Sequence, residues 1–341
     1  MKLDKDIIKN IYEHMGDEES KSLFADRLLF SLTNDIEFMF NIIRKTPEGM
    51  EIEKRLSCSQ KNIAIFGAGI WGKNILKLYC KFNIVAFVDN NVNDCCVENI
   101  PVYTLEELKS RYSDVLIIIS SRLYYAEMHK QLLDSGIFEE DIINAGKLID
   151  DMSKRQYFDL PYLQREDEEV FVDGGSLDGL TSLQFIHWAE KNYKKIYVFE
   201  PDIQNIAKCV ENLKSEEQGK IEIIEKGLWD KDDILRFEAL ANRCSKISEQ
   251  GVVSIKVASL DEVVNDKVSF VKMDIEGAEY KALLGSSNII KQYKPKLAIS
   301  IYHKPEDIVE LPKLLLELNP DYQFYLRHYS LATSETVLYA V

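Results

Sequence analysis

From residue 61 onward the chain alternates short apolar runs with amphipathic stretches, and it does so in two successive series. Parallel strands can be joined only through a crossover, usually a helix, so this alternation predicts βαβ units and a parallel sheet. In the first series the strands are Asn62–Phe66, Ile84–Val88 and Asp114–Ile119. Helices fit from the glycine run to Cys80, after the capping box Thr104-x-x-Glu107, and over Leu123–Ser135 with Gly136 as its stop. The second series starts with Val170–Val172, a helix through Lys191, Lys195–Phe199, a helix over 203–214 and Ile221–Ile224. Later strands fall near Leu235–Phe237, Val268–Met273, Lys296–Ile301, Tyr322–Arg327 and Glu335–Ala340, with helices over 276–284 and Glu306–Leu318. The series differ in length and motif, so they are not repeats of one unit. The fold class is α/β with two Rossmann-like domains.

A chain of 341 residues exceeds what one hydrophobic core of about 250–300 residues serves, which agrees with this division. Residues 1–58 read as a helical N-terminal extension, because Ile7, Ile8, Ile11 and Met15 share one helical face and Asp17–Ser20 looks like a helix start. That layer carries no chemistry and suits packing or a homodimer contact. The expected boundaries are 59–148 for a small Rossmann-like domain, 149–168 for a charged connector containing Pro161, and 169–341 for the second domain.

Charge and cysteine usage narrow the partners. Lys and Arg total 42 against 57 Asp and Glu, a formal net charge of −15. A chain this acidic repels phosphate and is a poor candidate for binding nucleic acid or anionic lipid. No run approaches the roughly 18 apolar residues of a membrane span, and the first residues are charged where a signal peptide would be apolar. The six cysteines make no Cys-x-x-Cys pair, so neither a zinc site nor a disulfide framework is expected, and Cys95-Cys96 reads as two thiols on a surface loop. A reducing, cytoplasmic setting fits.

Three motifs sit at strand ends. Gly67-x-Gly69-x-x-Gly72 lies between a strand and a helix, and Asp89 ends the following strand. Glycines there let backbone approach phosphate and the carboxylate can accept ribose hydroxyls, which is the layout of a nucleotide or nucleotide-sugar site. No hydride-transfer partner accompanies it, so a retained fold with an empty site is the alternative. The second motif, Asp173-Gly174-Gly175-Ser176-Leu177-Asp178-Gly179, is spaced differently, and its acidic residue disfavours a pyrophosphate. It suits a ligand carrying an amino group and a carboxylate, with the loop amides facing the carboxylate and Asp173 helping to organise the amino end or its waters. Glu200, in Phe199-Glu200-Pro201, is placed to accept two ribose hydroxyls. An amino acid joined to a nucleoside describes S-adenosylmethionine. The third motif sets Asp274 at the end of an apolar strand, with Glu276 and Glu279 opening a helix. Ligands of open parallel sheets bind at that carboxyl edge. Gly227 and Leu228, in a loop before Trp229, are reasonable contacts on the adenine side.

With these segments in view, the sequence resembles the FkbM family of S-adenosylmethionine-dependent methyltransferases. Val170–Gly175, Phe199-Glu200-Pro201, Ser259-Leu260-Asp261-Glu262 and Lys272–Glu279 are similar to the family's signature segments and occur in its order, over about residues 168–341. The glycine loop departs from it, reading Gly-Gly-Ser-Leu-Asp-Gly where many members have Gly-Ala-Asn. The front half resembles a degenerate nucleotide-sugar-type Rossmann domain that can precede the catalytic one. The resemblance implies an open twisted sheet, mostly parallel with an antiparallel last hairpin. It implies that Asp173, Gly174, Gly175, Ser176, Gly179, Glu200, Pro201, Gly227, Leu228 and Asp274 surround the cofactor. It further implies methylation of an oxygen acceptor, a sugar hydroxyl of a glycan or a glycosylated metabolite. Ile299–His303 is similar to the family's strand with a histidine near its end, so His303, as a neutral imidazole, is the expected proton acceptor, with Asp274 or Glu276 sharing that duty. Asp274, Glu276 and His303 could chemically hold a metal, but their spacing does not demand one and none is expected. Two rivals stand beside this reading. One is a nicotinamide-dependent or nucleotide-sugar enzyme centred on Gly67–Asp89; the other is a non-catalytic binding protein, which intact Asp173, Glu200 and Asp274 argue against.

Overall fold

The computed structural model describes residues 4–91, 96–216, 218–238, 246–247 and 253–341; Cys95 and Cys244 lie outside these residues. The chain divides into two compact units, one of residues 35–155 with 328–333, the other of residues up to 34 with 156–327 and 334–341. Among the described residues, no helix is long and apolar enough to cross a membrane.

The smaller unit is built on β1 (Asn62–Phe66), β2 (Ile84–Val88), β3 (Cys96–Val97), β4 (Ile100–Tyr103), β5 (Val115–Ile119) and β6 (Ile142–Asn144), in the order β3-β4-β2-β1-β5-β6. β4 through β6 in that order are parallel, and β3 closes antiparallel on β4. Side chains alternate across a strand, so β1 divides its own between two cores. Ile63 and Ile65 join one with Leu116 and Ile118, while Ala64 and Phe66 join the other with Ile117 and Ile119. Helices Ile36–Lys45 and Pro47–Cys58 belong to the first of these cores through Phe40, Ile43, Ile52 and Leu56.

After β1 the chain enters helix Ile70–Leu78 through the glycine run. A Cβ on Gly72 would stand 2.0 Å from the Gly67 carbonyl oxygen, whereas one on Gly69 would meet nothing within 4 Å. Gly72 is therefore needed for packing and Gly69 is not. Gly72→Ala is expected to destabilise the smaller unit by about 1–3 kcal/mol, the scale of overpacking, while Gly69→Val keeps its stability. Denaturant unfolding of the two variants checks this, and equal effects would contradict it.

The larger unit contains β7 (Glu169–Gly174), β8 (Tyr193–Phe199), β9 (Ile221–Ile224), β10 (Gly227–Leu228), β11 (Asp233–Glu238), β12 (Lys246–Ile247), β13 (Val253–Ala258), β14 (Phe270–Met273), β15 (Lys296–Ser300), β16 (Phe324–His328, all but its last residue) and β17 (Thr336–Ala340). Its main sheet has the order β16-β17-β15-β14-β7-β8-β9, and β10-β13-β11-β12 form a second. β9, β8, β7, β14 and β15 run parallel, the mostly parallel sheet that the resemblance implied, and β17 lies antiparallel against β15. Helices Lys5–Glu13 and Glu18–Thr33 belong to this unit. Asp17 caps the second of them by accepting from the Ser20 amide at 2.8 Å and also receives Arg327 Nη2 at 2.7 Å. Residues 1–58, read in sequence as one extension, are thus divided between the units after Asn34, whose φ of 56° ends the second helix. Helical periodicity tells that a face is apolar but not which sheet it covers.

Candidate active site

Four strands that neighbour each other in the larger sheet, β8, β7, β14 and β15, end at one edge and carry Glu200, Asp173, Asp274 and His303 there. Asp173 lies inside β7 and is fully buried. Its Oδ2 accepts from Ser176 Oγ at 2.9 Å and Ser182 Oγ at 2.8 Å, and its Oδ1 from Lys272 Nζ at 3.1 Å. Lys272 is itself buried, and it also donates to the carbonyls of Gly174 at 3.2 Å and Gly175 at 2.8 Å. Burial alone would lower its pKa, but Asp173, then Asp274, hold it above the ordinary lysine value, so it stays charged. The Asp173 carboxylate, expected to help organise the amino end of the cofactor or its waters, is enclosed by protein donors and fixes the glycine loop from within.

The loop amides likewise have partners within the protein. Those of Gly175 and Ser176 donate to the Phe199 carbonyl at 3.0 and 3.4 Å, and those of Asp178 and Gly179 to the Ser176 carbonyl at 2.7 and 3.3 Å. The Leu177 amide donates to Glu200 Oε2 at 2.9 Å, and Glu200 Oε1 accepts from the Asp202 amide at 2.9 Å. The loop closes on itself because its short turn brings every amide to a protein acceptor. Burial raises the Glu200 pKa, partly offset by these amides. The turn depends on Gly175, with φ +74° and an added Cβ only 2.0 Å from the Asp274 carbonyl oxygen. Leu228 is buried, with its Cδ1 2.6 Å from where a Gly174 Cβ would stand, so it packs on the loop. Gly227 faces Pro201, whose Cγ would lie 3.8 Å from an added Cβ.

Beyond β14, Asp274 Oδ2 accepts from Tyr157 Oη at 3.0 Å and Oδ1 from Tyr302 Oη at 3.1 Å. Burial, then the Asp274 charge, raises both phenol pKa values, so both remain protonated donors. His303 Nε2 lies 3.4 Å from Asp274 Oδ1 and 3.6 Å from Glu276 Oε2, and Nδ1 lies 2.9 Å from Glu279 Oε1. Burial by itself would lower the His303 pKa, but Glu279, Asp274 and Glu276 outweigh it and carry it up to about 9. The ring is therefore an imidazolium at neutral pH, not the neutral base expected from sequence, because three carboxylates surround it. Burial pushes Glu276 up to about 7, with His303 opposing and Asp274 and Glu279 adding to the rise. Glu276 has φ +56°, and its side chain is 39% exposed, the most open of this cluster.

Gly67, Gly69, Gly72 and Asp89 belong to the smaller unit. There Asp89 Oδ2 accepts from the Ala68 amide at 2.9 Å and Oδ1 from the Asn91 amide at 2.9 Å, so the carboxylate tethers its own glycine loop.

Residues 173–324, which include all four strand ends, match the methyltransferase FkbM domain family. This part of the chain is an FkbM methyltransferase domain. Residues 59–143 match the family described as C2185-like, N-terminal. The crystal structure of methyltransferase FkbM from Methylobacillus flagellatus KT shares the fold at 18% identity, TM-score 0.53, over 95% of this chain and 99% of that one. An rRNA methylase from Streptococcus thermophilus (18% identity, 52% of this chain, 87% of that one, TM-score 0.33) superposes too loosely to bear on function. The same holds for Aeropyrum pernix fibrillarin with natively bound S-adenosyl-L-methionine (11% identity, 56% of this chain, 74% of that one, TM-score 0.35). No curated protein matches the chain.

Around this site, sequence reasoning missed Lys272 and Tyr302 of the FkbM domain and Tyr157, which precedes it. A lysine inside an apolar strand was itself a signal, since an ammonium is buried only with partners. The tyrosines had none, because Tyr157 precedes Asp274 by 117 residues.

Proposed function

We propose that the FkbM domain transfers the methyl group of S-adenosylmethionine to an oxygen acceptor, a sugar hydroxyl of a glycan or glycosylated metabolite. The observation that carries this is the delivery of Glu200, Asp274 and His303 by neighbouring strands to the carboxyl edge of one parallel sheet. Glu200 accepts the ribose hydroxyls, releasing the Leu177 amide, and Asp274, braced by its two phenols, lines the transfer region. The acceptor oxygen attacks the methyl carbon, the sulfur–methyl bond breaks with its electron pair left on sulfur, and the hydroxyl proton goes to a carboxylate. Glu276 takes that proton because it is the cluster's solvent-open carboxylate. The smaller unit has its own motif and keeps no part in cofactor capture, so Gly69→Val is expected to leave S-adenosylhomocysteine affinity unchanged; loss of binding in a folded variant would overturn that separation.

The test of the reaction is transfer of labelled methyl from S-adenosylmethionine to glycans and glycosylated metabolites of a cell extract. Label in a glycan fraction supports the reading, and label in none opposes it. Once an acceptor is in hand, Glu276→Gln is expected to lower turnover by about 10²–10⁴-fold while S-adenosylhomocysteine affinity stays near wild type. Wild-type turnover would remove Glu276 as the proton acceptor.

A further inference from the structure

Two buried polar side chains meet beside Asp274 without the hydrogen bonds that burial requires. Glu279 is fully buried; its Oε1 accepts from the Ile275 amide at 3.0 Å, but its Oε2 has no partner. The His303 side chain is 9% exposed and neither ring nitrogen has a hydrogen bond. The 2.9 Å approach of Nδ1 to Glu279 Oε1 is an ion-pair distance that is off line for an N–H donor. An unsatisfied buried polar atom is costly, and more so when charged, so Glu279 Oε2 and one ring nitrogen of His303 ask for a common partner. One donor atom from each of Asp274, Glu279 and His303 lies within 4.8 Å of the other two. Ligands about 2.0–2.2 Å from one ion stand roughly 3–4 Å apart, so three donors all within 4.8 Å of one another are near enough to close on a shared ion.

We propose that Asp274, Glu279 and His303 are the protein ligands of a divalent first-row metal ion of the Mn²⁺ or Zn²⁺ type. Two carboxylates match the ion's charge, and an imidazole nitrogen selects such ions over Ca²⁺, which takes oxygen ligands. The ring nitrogen that binds gives up its proton to solvent as the ion enters, and the other still faces a carboxylate, the arrangement that orients ligating histidines. Three protein donors leave positions open for water or a further oxygen ligand. Sequence reasoning considered Glu276 as the third ligand and expected no metal; Glu279 takes that place because its helix aims it inward, while Glu276 turns toward solvent. Binding follows from the donors alone. A role for the ion in drawing the proton from an acceptor hydroxyl rests on the methyl-transfer reading.

The test is titration of the chelator-treated full chain with Mn²⁺ and with Zn²⁺, followed by calorimetry and, for Mn²⁺, by electron paramagnetic resonance, without any methyl donor. One ion per chain is expected, with nitrogen modulation of the Mn²⁺ electron spin echo from His303. Glu279→Gln and His303→Asn should each weaken binding by about 100-fold or more, while Glu222→Gln, an exposed carboxylate in the same unit, binds as wild type. The wild-type spin-echo result stands even where a variant fails to fold. No binding at millimolar Mn²⁺ or Zn²⁺, a bound ion without nitrogen modulation, or full affinity in folded Glu279→Gln would overturn the site. None of these results depends on methyl transfer, so failure of the metal site and failure of the proposed reaction are read separately.

Discussion

Lys272→Met is expected to destabilise the FkbM domain by about 3–5 kcal/mol, the scale of removing one partner from a buried ion pair. The ammonium sits between Asp173 and the carbonyls of Gly174 and Gly175, with 2% of its side chain exposed and none of Asp173's. Methionine fills the same space but leaves a buried carboxylate facing two carbonyl oxygens. Its charge is then offset only by the hydroxyls of Ser176 and Ser182. Adding Asp173→Asn removes that uncompensated charge and should restore part of the loss, although the amide cannot accept from every donor the carboxylate served. Denaturant unfolding of wild type, single and double variants measures both effects. An unchanged unfolding midpoint in Lys272→Met would show that this pair does not hold the loop.

The second large effect is expected at Gly175. Alanine there adopts a left-handed conformation at about 1–2 kcal/mol, and its Cβ would sit 2.0 Å from a backbone oxygen of Asp274, a contact that only backbone movement relieves. The ends of β7 and β14 must part, and with them Asp274 and the loop that contacts Glu200. A shift of about 1 Å in a positioning element can cost about 10²-fold, and Gly175→Ala is expected to lose S-adenosylhomocysteine affinity on that scale. Titration of the folded variant checks it, and wild-type affinity would show that the loop is not part of the cofactor site.

Much of this architecture is legible because parallel strands buried on both faces read as unbroken apolar runs, as Val115–Ile119 does. Ile100–Tyr103 and Ile142–Asn144 were not legible, since three or four residues, one of them Pro101, carry no period of their own. Val253–Ala258 did carry a signal, an alternation of apolar with polar or small residues, and pairs antiparallel with β11. At the site, Glu200 and Asp274 stood out because an acid ending an apolar strand has no packing reason to be there. What Asp173 does could not be read, because its role depends on Lys272, a residue 99 positions later that arrives through the pairing of β14 with β7. The charge state of His303 is likewise a tertiary property, set by carboxylates on β14's exit and the helix beyond it.

Calorimetric titration of S-adenosylhomocysteine into wild type and Glu200→Ala tests the central claim most directly. Wild type is expected to bind one molecule per chain, and Glu200→Ala to bind it more weakly by about 1.5–3 kcal/mol, the scale of hydrogen bonds to a charged group. The absence of binding to folded wild type, or equal affinity in the two proteins, would contradict the assignment of this sheet edge to the cofactor.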